Sequence, residues 1–136
     1  MPRLAARPAT DRRQATRRNL LRADGLVVAL AGVALLVFGA PLQPMIGWPS
    51  GGTLTVLGVM LLAYGIGLLA VSAFRPVGRG LTLMVALLNS LWFDASIAVA
   101  AIGPSGLTGT GRAAILAGGA VAMLFAVAQV LAVRQR

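Results

Sequence analysis

The sequence contains no cysteine, no histidine, no lysine and no glutamate. Without cysteine there can be no disulfide bond, and without cysteine and histidine there is no zinc site of the usual kind. The only acidic side chains are Asp11, Asp24 and Asp94, so paired carboxylates for acid–base chemistry are hard to assemble, and a serine nucleophile would have no base beside it. We therefore predict that the chain is not an enzyme and that it holds no metal and no cofactor.

Charged residues of either sign are scarce as well. They make up 11% of the 136 residues, whereas hydrophobic residues make up 58%; an ordinary soluble domain is about 25% charged. A soluble domain of this size has too little interior to bury so many apolar side chains. Lipid must cover the remainder, and the sequence predicts an all-α integral membrane protein.

The apolar residues fall into four segments. No charged residue occurs from Gly25 to Phe74, but the prolines and glycines within 41–52 are expected to end one helix and begin another. The turn-rich "GPSGLTGTG" (103–111) divides a second pair. We predict a domain 19–136 with transmembrane helices over about 20–40, 53–74, 81–102 and 113–133, each near the ~20 residues that a bilayer core requires. Arg22 would snorkel at the start of the first helix, and Asp24 would lie in its first turn.

The basic residues indicate an orientation. All twelve are arginines, and with four spans every one except Arg112 falls on the same side as both termini. Because positive charge is retained in the cytoplasm, both termini are predicted to be cytoplasmic, and loops 41–52 and 103–111 to face outward. The polar, basic residues 1–18 are predicted to form a disordered cytoplasmic tail. We interpret the net charge of +9 as attraction to anionic lipid headgroups and not as nucleic-acid binding.

The segment "TRRNLLR" (16–22) offers an alternative, because it resembles the twin-arginine export signal. A cleaved signal would need a small-x-small site after the apolar run, and Phe38 stands two residues before Ala40. Three further apolar segments also follow, which is unusual for an exported protein. We therefore interpret the first segment as a retained transmembrane helix.

Small residues recur every seven positions in the predicted helices. A seven-residue repeat keeps to one face only if the helices coil around each other in a left-handed sense, so the spacing predicts a left-handed four-helix bundle with small residues at the helix contacts. In the third segment, Asn89, Ser96 and Gly103 keep the same spacing. The predicted packing residues are Gly32, Gly39, Gly58, Gly65 and Gly118, with Trp92 filling space beside them.

The stretch "LLNSLWFDAS" (87–96) places Asp94 inside an apolar helix. A charged side chain there costs about 2.5–3.5 kcal/mol or more, so Asp94 is expected to face the bundle and to have a partner. Tyr64 could donate to it, Arg112 could fold down toward it, or Asp94 could stay protonated and donate to a backbone carbonyl. The candidate intramembrane polar site is Asp94, Asn89, Ser90, Tyr64 and Arg112. This group either binds a proton or cation, or it forms an ordinary interhelical hydrogen bond without further function. Tyr64 and Gln129 are expected to be hydrogen-bonded at helix contacts.

The region from "LRADGLVVALAGVALL" through "LLNSLWFDAS" to "LTGTGRAAILAGGA" resembles small bacterial four-span integral membrane proteins of unknown function. The resemblance implies the bacterial inner membrane and no particular activity. Two functions are therefore expected. The first is a non-catalytic accessory subunit or scaffold that packs against a larger membrane protein or itself. The alternative is a small dimeric transporter or channel that uses Asp94 to bind a proton or cation.

Overall fold

The computed structural model describes residues 7–47, 51–74 and 76–134, and these residues form four helices. Helix α1 spans Arg7–Ile46, α2 spans Gly51–Phe74, α3 spans Arg79–Ile102 and α4 spans Gly109–Arg134. Each of the four is long and apolar enough to cross a membrane. The predicted all-α fold with four candidate transmembrane helices is therefore confirmed.

The surface of the bundle is strongly apolar. No more than 28% of the most apolar stretch of any of the four helices is buried against the others. Large side chains such as Leu124 and Val37 are more than half exposed, at 71% and 61%. Because each exposed apolar side chain is favourable only away from water, this surface suits the hydrocarbon core of a membrane.

Helices α1 and α2 pack through glycine, as the sequence predicts. A Cβ atom on Gly25 would lie 2.9 Å from the Gly65 carbonyl oxygen, and one on Gly32 would lie 2.8 Å from the Gly58 carbonyl oxygen. These spacings leave no room for a side chain, so the two backbones touch directly. Gly39 continues the series against the Leu54 side chain, with a corresponding distance of 3.3 Å. The pairing shows that α1 and α2 run antiparallel.

Helices α3 and α4 approach each other closely at Gly119 of α4, which lies against side chains of α3. A Cβ atom on Gly119 would lie 2.7 Å from the Ser96 Cβ and 3.4 Å from the Phe93 ring. Gly118, which was predicted to pack, has no atom within 4 Å of where its Cβ would be and lies on the exposed surface. That prediction was wrong by one position, because Gly119 and not Gly118 faces α3. Neighbouring residues on a helix point in directions about 100° apart.

Helix α1 is longer than predicted at both ends. Residues 7–18, predicted as part of a disordered tail, continue the helix; residues 1–6 lie outside the described residues. Arginine, alanine and glutamine have good helix propensity, and extending an existing helix avoids the cost of nucleation. At the other end, α1 continues through Pro41 and Pro44, although each lacks the N–H that a helix interior needs.

The two hairpins, α1–α2 and α3–α4, are joined mainly where α1 contacts α4. The start of α1, the end of α4 and the turn between α2 and α3 lie at one end of the bundle, which we call the proximal end. The α1–α2 and α3–α4 loops lie at the other, distal end. Fully buried side chains concentrate toward the proximal end, among them Leu21, Ser72, Val77, Thr82 and Val85.

Candidate functional site

Three polar side chains from three helices meet inside the proximal half of the bundle. The Asp24 Oδ2 atom accepts hydrogen bonds from Asn89 Nδ2 at 2.7 Å and from Gln129 Nε2 at 2.8 Å. Asn89 Nδ2 also approaches Gln129 Oε1 at 3.5 Å. Asp24 and Gln129 are fully buried, and Asn89 is 4% exposed. We call Asp24, Asn89 and Gln129 the proximal cluster.

Local helix geometry brings this cluster together. Asp24 lies three residues after Leu21, which is fully buried, so both share the inward face of α1. Asn89 follows the buried Val85 by one turn on α3, and Gln129 follows the buried Ala126 by three residues on α4. Each helix thus carries one polar side chain on its otherwise largely apolar inward face, and these three side chains form hydrogen bonds with one another across the helices.

Two buried oxygen atoms near the proximal cluster lack a hydrogen-bond partner within the described part of the chain. They are Asp24 Oδ1 and the Tyr64 hydroxyl. Tyr64 lies on α2 within electrostatic range of Asp24. Polar atoms buried without a partner are uncommon in native proteins and call for an explanation. Tyr64 was expected to be hydrogen-bonded, and that expectation is not met among the described residues, whereas the expected bond of Gln129 is present.

Asp94 does not face the bundle, contrary to the sequence-based expectation. Its side chain is exposed on the outside of α3, and no residue of the three described stretches forms a hydrogen bond or ion pair with it. The inward face of α3 carries Asn89 and Ser96. Asp94 lies two residues before Ser96, which is about 200° around the helix and therefore on the opposite side.

The other predicted site residues are dispersed. The Ser90 hydroxyl donates to the Ala86 carbonyl oxygen of its own helix at 2.9 Å. Arg112 is exposed at the distal end, where its guanidinium approaches Gly103. Trp92 is 39% exposed and lies on a different side of α3 from Asp94. Of the candidate polar site, only Asn89 joins the proximal cluster.

A second set of contacts joins the hairpins at the distal end. The Ile46 carbonyl oxygen, at the end of α1, accepts the Thr108 backbone N–H at 3.0 Å, and the Thr108 hydroxyl contacts the Met45 and Ile46 carbonyl oxygens. The same hydroxyl accepts the Gly111 N–H at 3.0 Å and so caps α4. A Cβ atom on Gly111 would overlap the Ile46 carbonyl oxygen. We call Ile46, Thr108 and Gly111 the distal junction.

Two other features of the described residues do not form a ligand site. Among the described residues, no group of three or more histidine, cysteine, aspartate or glutamate side chains converges in a way that could hold a metal ion. An open apolar depression of about 400 Å³ on the surface is lined only by residues of α2, among them Val56 and Met60. Such a depression encloses nothing and carries almost no polar group that could orient a ligand.

The role of Asp24 was not predicted, because the sequence pattern placed this residue in the first turn of a helix beginning near residue 20. Since α1 begins at Arg7, Asp24 lies well inside the helix and cannot bond to free N–H groups at its start. One signal was present: Asn89 and Gln129 were both predicted at helix contacts, and amides there need a partner. No family model matches this chain, and no curated protein and no solved structure matches it either.

Proposed function

We propose that this chain is a multi-pass protein of a bacterial inner membrane, packed as a left-handed bundle, with both termini in the cytoplasm. Four helices of sufficient length and apolarity support the membrane location. The arginines support the orientation, because all those described lie on the proximal side except Arg112. The seven-residue spacing of the close glycine contacts in α1 and α2 supports the left-handed packing. The arginines of the α1 extension would contact anionic headgroups.

Within that membrane, we propose that the protein is a non-catalytic accessory subunit or scaffold that binds a larger membrane protein through one face of α3. This Asp94 face consists of Leu87, Leu91, Asp94 and Ile97, which are all exposed and lie on one side of the helix. The observation that carries the proposal is the exposed carboxylate among these apolar side chains. Asp94 lies about 5 Å from the middle of the 24-residue α3, well inside the hydrocarbon layer.

A carboxylate facing lipid at that depth costs about 2.5–3.5 kcal/mol or more on insertion scales. A partner helix that offers an arginine, a lysine or an amide or hydroxyl donor at the same depth removes this cost. A second copy of this chain is less suitable, because a two-fold axis along the membrane normal would bring two Asp94 carboxylates together, and like charges repel. The Asp94 face therefore favours a different membrane protein as its partner.

Site-directed photo-crosslinking in native membranes tests this proposal. A photoreactive residue at Leu91, on the Asp94 face, is compared with one at Leu124, which is 71% exposed on α4. We expect Leu91 to give one discrete adduct with a membrane protein and Leu124 to give lipid adducts only. Asp94→Leu should reduce the Leu91 adduct at least about tenfold, as expected for more than ~1.4 kcal/mol of lost binding energy. Asp11→Asn, on the α1 extension, should leave it unchanged.

The same experiment separates the accessory subunit from the alternative function. An adduct between two copies of this chain, together with proton or cation flux through reconstituted vesicles that Asp94→Asn abolishes, would replace the proposal with a small dimeric transporter or channel. Lipid adducts at both positions would contradict both functions. In that case Asp94 would simply lie in lipid, and Asp94→Leu should stabilise the isolated protein by about the insertion cost.

A further inference from the structure

The proximal cluster has a feature that a purely structural hydrogen-bond network does not need. Both amide donors, from Asn89 and Gln129, are directed at Asp24 Oδ2, and Asp24 Oδ1 is buried without a partner in the described part of the chain. One oxygen of this fully buried carboxylate thus accepts two hydrogen bonds, while the other oxygen accepts none from the described residues. An ionised carboxylate normally engages both of its oxygens.

The charged and titratable groups around Asp24 do not neutralise it. On its own helix, Arg17 and Arg18 are half-buried and each has an Nε atom with no partner among the described residues, while Arg22 is exposed. Helix α2 contributes the Tyr64 hydroxyl, which likewise has no hydrogen-bond partner in the described part of the chain. On α3 the charged group nearest along the helix is Asp94, five residues from Asn89 and exposed on the outside of the bundle, while Arg79 and Arg134 are exposed near the ends of α3 and α4. Within residues 7–47, 51–74 and 76–134, no cation forms an ion pair with Asp24.

The donor set decides which ligand fits. A metal cation needs several oxygen ligands directed at one point. Here Asn89 and Gln129 present their amide nitrogens to the carboxylate, so the oxygens do not converge around Oδ1. A proton needs a single oxygen atom and neutralises the carboxylate outright. Inside a membrane, where an uncompensated charge is expensive, that is the smallest change that satisfies the site.

We propose that Asp24 Oδ1 is a proton-binding site that exchanges with water at the proximal end. A hydronium ion gives its proton to Oδ1, an O–H bond forms, a water molecule is released, and the charge of Asp24 changes from −1 to zero; the reverse step restores the carboxylate. The distance along the bundle axis from the cluster to the proximal end of α4 is short, because Gln129 lies five residues from Arg134, which is about 7.5 Å.

Proton binding changes how the hairpins are joined. The bonds from Asn89 and Gln129 tie α3 and α4 to α1, and hydrogen bonds to a charged acceptor are roughly twice as strong as those to a neutral one. Protonation of Asp24 therefore weakens the proximal cluster. The distal junction consists of backbone groups and the Thr108 hydroxyl, none of which titrates in the physiological range. The bound proton acts on one end of the bundle only.

Infrared spectroscopy tests this site with little ambiguity, because the chain has three aspartates and no glutamate. The full-length protein in phosphatidylcholine vesicles is titrated from alkaline to acid pH, and the C=O stretch of protonated carboxyl groups is recorded. The triple variant Asp11→Asn, Asp24→Asn, Asp94→Asn gives the background of the carboxyl terminus. We expect a titrating band in the wild type that persists in the double variant Asp11→Asn, Asp94→Asn and is lost when Asp24→Asn is added to give the triple variant.

The double variant leaves Asp24 in place, so the test does not depend on whether Asp24→Asn folds. A double variant without a titrating band would overturn the proposal. So would a band that Na⁺ or K⁺ abolishes at constant pH, because a metal cation would then occupy the site. Spin labels in this cysteine-free chain test the consequence. The distance between Phe74→Cys and Leu131→Cys, at the proximal end, should change with the same midpoint as the band, and the distance between Met45→Cys and Ile102→Cys should not. Equal changes at both ends, or no change at the proximal end, would refute the effect on the hairpins.

Discussion

The proximal cluster and the distal junction both join the hairpin α1–α2 to the hairpin α3–α4, but they do so with different chemistry. At the proximal end, buried side chains bond to one another: Asp24 accepts from Asn89 and Gln129. At the distal end, backbone meets backbone, since the last turn of α1 gives the Ile46 carbonyl oxygen to the Thr108 N–H at the start of α4. The proximal contact involves a carboxylate, whereas the distal contact consists of backbone groups and one hydroxyl, that of Thr108.

The difference matters because the two kinds of contact respond to different changes. Backbone contacts at Gly111 leave no space, so any added side chain must displace the end of α1. Side-chain hydrogen bonds at Asp24 need no such close approach, but their strength follows the charge of the acceptor. The distal junction is therefore suited to hold the two hairpins at a fixed spacing, whereas the proximal cluster is suited to adjust. Substitutions at each end should separate these two properties.

Gly111→Val should have the largest effect. Its Cβ would overlap the Ile46 carbonyl oxygen and lie 2.8 Å from the Leu107 side chain. Because a backbone carbonyl cannot turn aside as a side chain can, the end of α1 must move away from α4. We expect a loss at the upper end of the range for overpacking, about 3 kcal/mol, measured as free energy of unfolding by SDS titration in mixed micelles.

Gly109→Val is the matched control for this substitution. Gly109 lies two residues earlier on α4, and nothing lies within 4 Å of where its Cβ would be. It should cost no more than a few tenths of a kcal/mol, as is usual for a surface substitution. Equal losses for the two variants would show that valine disfavours the start of α4 in general and that the distal junction is not tightly packed.

Gln129→Leu should have an intermediate effect. The leucine keeps the apolar volume of the side chain but removes the donor 2.8 Å from Asp24 Oδ2. Hydrogen bonds between transmembrane helices are worth about 0.6 kcal/mol on average and about 1.7 at most, and those to charged acceptors are the stronger ones. We expect a loss of about 1–2 kcal/mol at alkaline pH in the same unfolding assay.

The loss caused by Gln129→Leu should become smaller at acid pH, because a protonated Asp24 is the weaker acceptor. Gln43→Leu makes the same replacement in α1 near the distal end, away from the cluster, and its effect should be small at every pH. A loss for Gln129→Leu that does not vary with pH would mean that the charge of Asp24 is constant, and the contrast between the two ends would disappear.

The amino-acid sequence predicts much of this fold because the strongest signals in it are local. Glycines and prolines place the ends of α2 and α3 within two residues of the predicted bounds 53–74 and 81–102. The spacing of Gly32, Gly58 and Gly65 correctly indicates the contact between α1 and α2, because a repeat that recurs in both partners determines how they face each other.

Features that depend on tertiary context were not predicted correctly. Pro41 does not end α1. The turn that follows it contacts Thr108 and Gly111, and a proline in the sequence does not by itself reveal such a contact. The rotation of α4 about its axis determines whether Gly118 or Gly119 faces α3. The amino-acid sequence does not reveal that rotation. For the same reason, Asp94 was predicted to face the interior of the bundle, whereas the structure buries Asp24 and exposes Asp94. Depth along a helix can be counted from the sequence, but the direction of a side chain follows from the packing of all four helices.

Thr108→Val should have the smallest effect of the three substitutions, and it tests whether the distal junction depends on space alone. The variant keeps the backbone N–H that bonds to the Ile46 carbonyl oxygen but loses the hydroxyl that accepts from Gly111 N–H. Loss of a helix cap costs about 1 kcal/mol, and valine fills the same volume as threonine. Thr110→Val, two residues on and exposed, should cost less than half as much. If Thr108→Val proves as damaging as Gly111→Val, the hydroxyl and not the close backbone approach holds the distal end together, and the two ends of the bundle then both depend on side-chain polarity.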